Sequence, residues 1–240
     1  MINRKQVLAV IPARGGSKRL PRKNLLLLGD KPLLAWTAAA AAGSRYLDRA
    51  ILSSDDAEII RLGESLGLEA PFVRPASLSG DAPSAAVAAL HALELFPGYD
   101  YIVLLQPTSP FRVAVDIDVA LETLCASRAD ACVSVTKAPI KRDWLFTVRD
   151  DGLLAPWPCR ASVPPDGEGQ DLHVLNGAVY VATTSFFLAS QTFFSPSTVA
   201  YVMPAERSVD IDTEHDLLFA EFLLQRHTSR RWTGDVAVRE

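Results

Sequence analysis

Apolar residues along this chain fall into short unbroken runs separated by longer stretches with helical spacing. Gln6-Val-Leu-Ala-Val-Ile-Pro12, Arg49-Ala-Ile-Leu-Ser-Ser54 and Tyr101-Ile-Val-Leu-Leu105 are too uniformly apolar for strands with one wet face. Strands buried on both faces of a parallel sheet read this way. Between them the pattern predicts helices from Pro32 to Gly43, from Asp55 to about Gly67, from Ser84 to Phe96 and from Ala114 to Ala126. Pro32 is acceptable in a first turn and Gly43 is a plausible stop. Asp55 and Asp56 suit the positive N-terminal end of a helix, and Ser84 suits a cap. Ala70 to Arg74 and Ala131 to Thr136 read as two further short strands. Such regular alternation implies right-handed crossovers and an α/β fold with a mainly parallel sheet.

Ligands of such sheets bind beyond the carboxyl ends of the strands. The polar loops after Ile11, Leu52 and Leu105 all fall at that edge, which is the first pointer to a functional site. From Lys137 the pattern breaks, with prolines, tryptophans and charges mixed through the segment 139–172. A core pattern returns at Asn176-Gly-Ala-Val-Tyr-Val181 and at Val199-Ala-Tyr-Val-Met203. A last amphipathic helix is expected after Asp212, ending near Arg226. The expected organisation is a single domain over residues 1–227 carrying the 139–172 excursion, with a loose tail over 228–240.

Composition narrows the partners. The 240 residues carry 24 basic and 28 acidic side chains, a net charge of −4, so no global field draws the chain to nucleic acid or to an anionic membrane. The most apolar long stretch, Leu33 to Gly43, is too short to span a bilayer, and the N-terminus has no signal-peptide layout. Cys125, Cys132 and Cys159 show no metal-ligand spacing and read as reduced thiols of a cytoplasmic protein.

The one conspicuous charge cluster is Ile11-Pro-Ala-Arg-Gly-Gly-Ser-Lys-Arg-Leu-Pro-Arg-Lys-Asn24, directly after the first strand. Gly15 and Gly16 allow a tight turn that brings backbone N–H groups close to a ligand, and Arg14, Lys18 and Lys23 add positive charge. Together they describe a phosphate cradle, without the spacing of a P-loop or of a dinucleotide fingerprint. Asp210-Ile-Asp212 places two carboxylates on one side of an extended segment. Such a pair suits Mg²⁺, but the residues alone leave open a second reading, in which Asp212 or Thr213 caps the last helix.

These stretches resemble the acylneuraminate cytidylyltransferases, the CMP-sialic acid synthetase family. Ser53-Ser-Asp-Asp56, Pro71-Phe-Val-Arg-Pro75, Leu105-Gln-Pro-Thr-Ser-Pro-Phe-Arg112, Asn176-Gly-Ala-Val-Tyr180 and Asp210-Ile-Asp-Thr213 follow in family order. The resemblance implies a three-layer, Rossmann-like nucleotidyltransferase fold and transfer of CMP from CTP to the anomeric hydroxyl of a nine-carbon 2-keto-3-deoxy sugar acid. It implies that Arg14, Lys18 and Lys23 hold the triphosphate, and that Ala13, Gly15, Gly16, Ser17, Asn24, Ser79, Gly80 and Asp81 line the nucleotide pocket. Gln106, Thr108, Ser109, Lys141 and Tyr180 would face the sugar. Asp210 and Asp212 would bind Mg²⁺, Asp212 among the catalytic groups. The Asp55-Asp56 pair is taken as scaffold.

The Gln-Pro-Thr-Ser-Pro form favours the sialic and legionaminic branches over the pseudaminic one. The arginine that relatives carry just before Asn-Gly-Ala is missing here, with Arg160 the nearest substitute. The resemblance also implies a homodimer in which the 139–172 excursion packs against the partner. Two rivals stand beside this reading: another sugar nucleotidyltransferase, using an eight-carbon 3-deoxy acid or a sugar 1-phosphate, and a nucleotide-binding homologue without catalysis.

Overall fold

The computed structural model describes residues 1–79, 85–141, 144–157 and 171–229. At its centre a six-stranded sheet runs in the order β10-β6-β9-β5-β1-β4. Its strands are β1 (Val7–Pro12), β4 (Arg49–Ser53), β5 (Tyr101–Leu104), β6 (Ala131–Lys137), β9 (His173–Thr183) and β10 (Val199–Val202). Pairings of β1 with β4, β1 with β5 and β6 with β10 are parallel, whereas β9 runs antiparallel between β5 and β6.

Successive residues of β1 point to opposite faces, as the strand period requires. Val7, Ala9 and Ile11 join one buried cluster with α1 (Leu33–Gly43), α2 (Ala57–Ser65) and α4 (Ala114–Ser127). Leu8 and Val10 join the other, with α3 (Ala85–Leu95) and Phe187 of α5 (Thr184–Ser190). Both faces are therefore covered, which explains the uniformly apolar strands and gives the expected three layers. The last helix, α6 (Glu214–Ser229), packs through Ala220, Leu217 and Leu224 on Leu28, Leu33, Val209 and Ile211. The short hairpin of β2 (Leu27–Leu28) and β3 (Lys31–Pro32) lies under it. No helix among the described residues is long and apolar enough to cross a membrane.

The expected strand from Ala70 to Arg74 is reduced to two isolated bridges, Glu69 to Ile51 and Val73 to Ser54. Pro71 and Pro75 lack the N–H groups that a ladder needs. Helix α5 had no clear signal in the sequence, and neither did the hairpin of β7 (Phe146–Val148) and β8 (Leu154–Pro156) inside the 139–172 excursion. Residues 158–170 of that excursion, with Cys159 and Arg160, and residues 230–240 of the tail lie outside the described residues, as does Ser84.

Candidate active site

Parallel β1, β4 and β5 release their chains at one edge of the sheet, and the site is built there. Ala13 is buried and donates its amide to the Ser53 carbonyl at 2.9 Å, giving the basic loop a fixed origin. Gly15 then donates its amide to Asp55 Oδ1 at 3.0 Å. A Cβ on Gly15 would lie 2.7 Å from Asp56 Oδ2, so glycine is what lets the loop press against the start of α2. At the far end the Asn24 side chain, buried, donates to the Arg14 carbonyl at 3.0 Å and closes the loop on itself. Arg14, Ser17, Lys18, Arg19, Lys23 and Asn24 thereby line a cleft of about 290 Å³.

The Asp55-Asp56 pair divides its work. Asp56 caps α2, accepting the amides of Glu58 and Ile59 at 2.8 and 3.1 Å. Asp55, besides holding Gly15, approaches the Arg74 guanidinium at 3.7 Å. The pair is thus scaffold in one residue and site support in the other.

Gln106, Pro107, Thr108, Asp210 and Asp212 line the same cleft. Thr108 fixes the acidic segment twice: its carbonyl accepts the Ile211 amide at 2.8 Å and its hydroxyl bonds the Asp210 carboxylate. Ile211 is fully buried, so the carboxylates that flank it emerge together. Protein atoms crowd the Asp210 carboxylate even though it opens on the cleft. That crowding raises its pKa above the usual range and Asp212 adds to the rise, while the Thr108 hydroxyl and Lys23 oppose it.

The cap at the start of α6 falls to other groups. Asp216 Oδ2 accepts the Thr213 amide, the Thr213 hydroxyl and the Asp212 amide at 2.7, 2.8 and 3.0 Å. The Asp212 carboxylate is left to the basic loop, taking Lys23 Nζ on Oδ1 and Arg19 on Oδ2, both at 2.8 Å. Among the described residues no cluster of three or more His, Cys, Asp or Glu is arranged to hold a metal. Two hard oxygen donors beside a cationic cleft do not make a zinc site. They fit Mg²⁺, which keeps waters and shares substrate phosphates.

The sugar-side candidates separate. Gln106 and Thr108 line the cleft, with Gln106 Nε2 donating to the Gly177 carbonyl at 3.3 Å. Ser109 is fully buried and donates to the Asn176 carbonyl at 3.2 Å, so it braces the loop instead of facing a ligand. Tyr180 packs on Phe193 and Phe194, and Lys141 is exposed over the Trp144 ring; neither belongs to the lining. Ser79 reaches the site through Arg74, accepting Nε at 3.1 Å, and Gly16 faces open space. Gly80 and Asp81 lie outside the described residues.

Two arginines were given no role from the sequence. Arg74 is 5% exposed, lines the cleft and has a terminal guanidinium nitrogen with no hydrogen-bond partner. Burial pulls its pKa down and nearby Arg14 adds to the fall, against the pull of Asp55. That terminal nitrogen is the one 3.7 Å from Asp55 Oδ1, so Arg74 reaches the site as a buried positive charge held beside Asp55. Arg112 is 2% exposed and donates to the carbonyls of Gln106 and Ala178 and to Thr37 Oγ1, at 3.1, 2.9 and 2.6 Å. The available signal in both cases was an arginine set among apolar and proline residues, a place where a solvated charge is out of character.

Asn176 ties the floor of the site. Its Oδ1 accepts from Ser134 Oγ and its Nδ2 donates to Ser208 Oγ, at 2.6 and 3.0 Å. Next to it Gly177, at φ 71°, brings its Cα toward both Asp210 and Gln106.

A family model described as cytidylyltransferase matches residues 8–157. An N-acylneuraminate cytidylyltransferase of Escherichia coli O18:K1:H7 is 33% identical over 95% of this chain, which spans 54% of that relative's length. A CMP-N,N'-diacetyllegionaminic acid synthase of Legionella pneumophila is 32% identical, covering 92% of this chain and 97% of its own. A pseudaminic acid cytidylyltransferase of Campylobacter jejuni is 33% identical over 90% of this chain and 95% of its own. Among solved structures, a CMP:2-keto-3-deoxy-manno-octonic acid synthetase superposes with a TM-score of 0.68 at 17% identity, covering 92% of this chain and 99% of the other, which speaks for the fold. With the matched region taking in the basic loop, the Asp55 support and the Gln106 loop, the chain belongs to the cytidylyltransferase family.

Proposed function

We propose that this chain transfers CMP from CTP to the anomeric hydroxyl of a nine-carbon 2-keto-3-deoxy sugar acid of acylneuraminate or legionaminate type, releasing pyrophosphate. The observation that carries the reading is the cleft itself, where Arg14, Lys18 and Lys23 share one lining with Asp210, Asp212, Arg74 and Gln106. The sugar hydroxyl oxygen forms a bond to the α-phosphorus as the bond to the pyrophosphate oxygen breaks. Arg14, Lys18 and Lys23 hold the phosphates and meet the charge that builds on them. Arg74 adds a buried positive charge to the lining that meets the nucleotide. Gln106, held by Gly177, presents an amide to the sugar. Mg²⁺, when bound at Asp210 and Asp212, supplies charge neutralisation for the phosphates. These two are the only carboxylates among the described residues of the lining.

Exposed Trp144, Phe146, Val148, Leu153, Leu154 and Trp157 on and around the β7–β8 hairpin support a second copy of the chain as its cover, hence a homodimer. A CTP-consuming reaction and the free thiols Cys125 and Cys132 support a cytoplasmic location.

The test is pyrophosphate release from CTP and Mg²⁺ with a panel of nonulosonic acids, pseudaminic acid included, against no-sugar and UTP controls. Release that needs CTP and an acylneuraminic or legionaminic acid supports the reading and names the sugar, and release with pseudaminic acid alone overturns the sugar assignment. Release with an eight-carbon acid alone, or with none while CTP binds, overturns the reading. Asp212→Ala should lose about 10²–10³-fold in turnover.

A further inference from the structure

Asp210 and Asp212 differ in what they hold. Asp210 takes a neutral hydroxyl, that of Thr108. Both oxygens of Asp212 take cations of the chain itself, Lys23 and Arg19, each at 2.8 Å. Lys23 and Arg19 are thus both set against Asp212, and Arg14, Lys18 and Arg74 line the same cleft, so even with Asp216 beside the Asp212 amide an arriving dication meets almost no net attraction. The two cations are anchored differently. Lys23 is 14% exposed, next to the buried Asn24, while Arg19 is 70% exposed on a long flexible stem. Arg19 also lines the cleft, so its guanidinium can leave Asp212 for a phosphate without refolding the loop. A planar fork that pairs with a carboxylate pairs equally well with a phosphate.

We propose that Arg19 is the exchangeable counter-cation of this site: without nucleotide it occupies Asp212 Oδ2, and the triphosphate draws it off, so that the divalent ion binds with the nucleotide and poorly without it. This rests on the CTP reading above. It makes Arg19 a positioning residue whose substitution changes metal binding in the absence of any reaction. A unit charge about 6 Å from a dication in water, partly screened at physiological salt, is worth roughly a three- to ten-fold change in affinity.

The experiment titrates the full-length chain with MnCl₂, following free Mn²⁺ by its EPR amplitude, first alone and then with CTP but no sugar acid. Wild type should bind Mn²⁺ weakly alone and more tightly with CTP. Arg19→Ala should tighten nucleotide-free Mn²⁺ roughly three- to ten-fold and shrink the CTP enhancement by the same factor, since the coupling is reciprocal. Arg19→Lys, which keeps the charge, should stay near wild type, and Asp212→Asn should lose Mn²⁺ binding, leaving the free-ion amplitude undiminished. Nucleotide-free Mn²⁺ affinity unchanged within two-fold in Arg19→Ala overturns the proposal. If wild-type binding without nucleotide is too weak to titrate, the ratio of CTP affinities with and without Mn²⁺ reads the same coupling, and an equal ratio in both proteins overturns it. Failure of CTP to bind at all removes the functional reading instead, while the nucleotide-free arm still decides on Arg19.

Discussion

Replacing Arg112 by methionine tests how the site loop is held. The guanidinium is fully enclosed, and burial pulls its pKa down to about 10, with Asp116 opposing the fall. It is tolerated because it supplies donors to three acceptors from separate elements: the Gln106 carbonyl in the loop after β5, the Ala178 carbonyl in β9 and Thr37 Oγ1 in α1. Ala178 lies where the β6–β9 register shifts between Val133 and Val135, so the ladder provides no substitute at that point. Methionine fills similar space but leaves the acceptors behind. A hydrogen bond to a charged donor contributes about 1.5–3 kcal/mol, and the three share one group, so their losses do not add in full. The buried Arg112 Nε, which has no partner, is removed at the same time and returns part of the loss. The expected net cost is about 3–5 kcal/mol, or a Tm lower by roughly 6–20 °C for a chain of this size.

Urea unfolding followed by tryptophan fluorescence would read this directly, and Thr37→Val makes the test sharper. In the wild-type background that change strands an Arg112 N–H and should destabilise by about 1 kcal/mol. In the Arg112→Met background it removes an orphaned hydroxyl and should stabilise. A reversal of sign is not produced by simple loss of packing. Arg112→Met within 1 kcal/mol of wild type, or Thr37→Val acting in the same direction in both backgrounds, would refute the account.

Three shorter predictions follow from neighbouring geometry. Gly177→Ala forces a side chain onto a residue at φ 71° with Asp210 Oδ2 at 3.3 Å and Gln106 Nε2 at 3.4 Å. It should cost about 1–2 kcal/mol and lower turnover beyond what the stability loss explains; unaltered kcat with a lowered Tm would show that the two side chains simply shift aside. Arg74→Gln should weaken CTP binding about 10- to 100-fold by calorimetry, the loss of one charged donor, and unchanged affinity would remove Arg74 from the site. At Asp216, burial favours the neutral acid, but the Thr213 hydroxyl and the amides of Asp212 and Thr213 outweigh it and hold the carboxyl below its usual range. Its stabilisation is therefore complete above the unfolded value near ~3.9 and is lost as pH falls through the lower folded value. Asp216→Asn should cost about 1 kcal/mol at pH 7 and progressively less below pH ~4; an equal cost in urea melts at pH 7 and pH 3 would contradict this.

How much of this could be read from the chain depended on whether a residue's partner was near in sequence. The parallel strands and their helices were legible because burial on both faces leaves a local mark, an apolar run, and the basic loop was legible because its charges are consecutive. What was missed depends on distant pairing. The direction of β9 is set by its ladders to β5 and β6, and nothing within Asn176-Gly-Ala-Val-Tyr180 encodes it. Ser109 and Thr108 are adjacent and chemically alike, yet one braces Asn176 from inside the protein and the other faces the cleft. That Asp212 is not the cap of α6 turned on Asp216, which takes over the capping and leaves the Asp212 carboxylate to the basic loop.

The reversed strand is also what completes the site. Since β9 runs against its neighbours, its start lies at the edge where β5 and β6 end, and this places Asn176 and Gly177 under the loop from Gln106 to Arg112. An all-parallel strand would bring its carboxyl end there and leave a connecting segment to carry the same contacts. Asn176 then joins β6 through Ser134 and the turn before the acidic segment through Ser208, while its carbonyl takes Ser109. That same turn is held from the other side by Arg207, whose guanidinium meets the fully buried Asp116 at 2.8 Å at the start of α4. Asp210 and Asp212 are thus fixed by groups from β6, β9, α4 and the loop after β5, and Lys23 and Arg19 reach Asp212 from the phosphate loop.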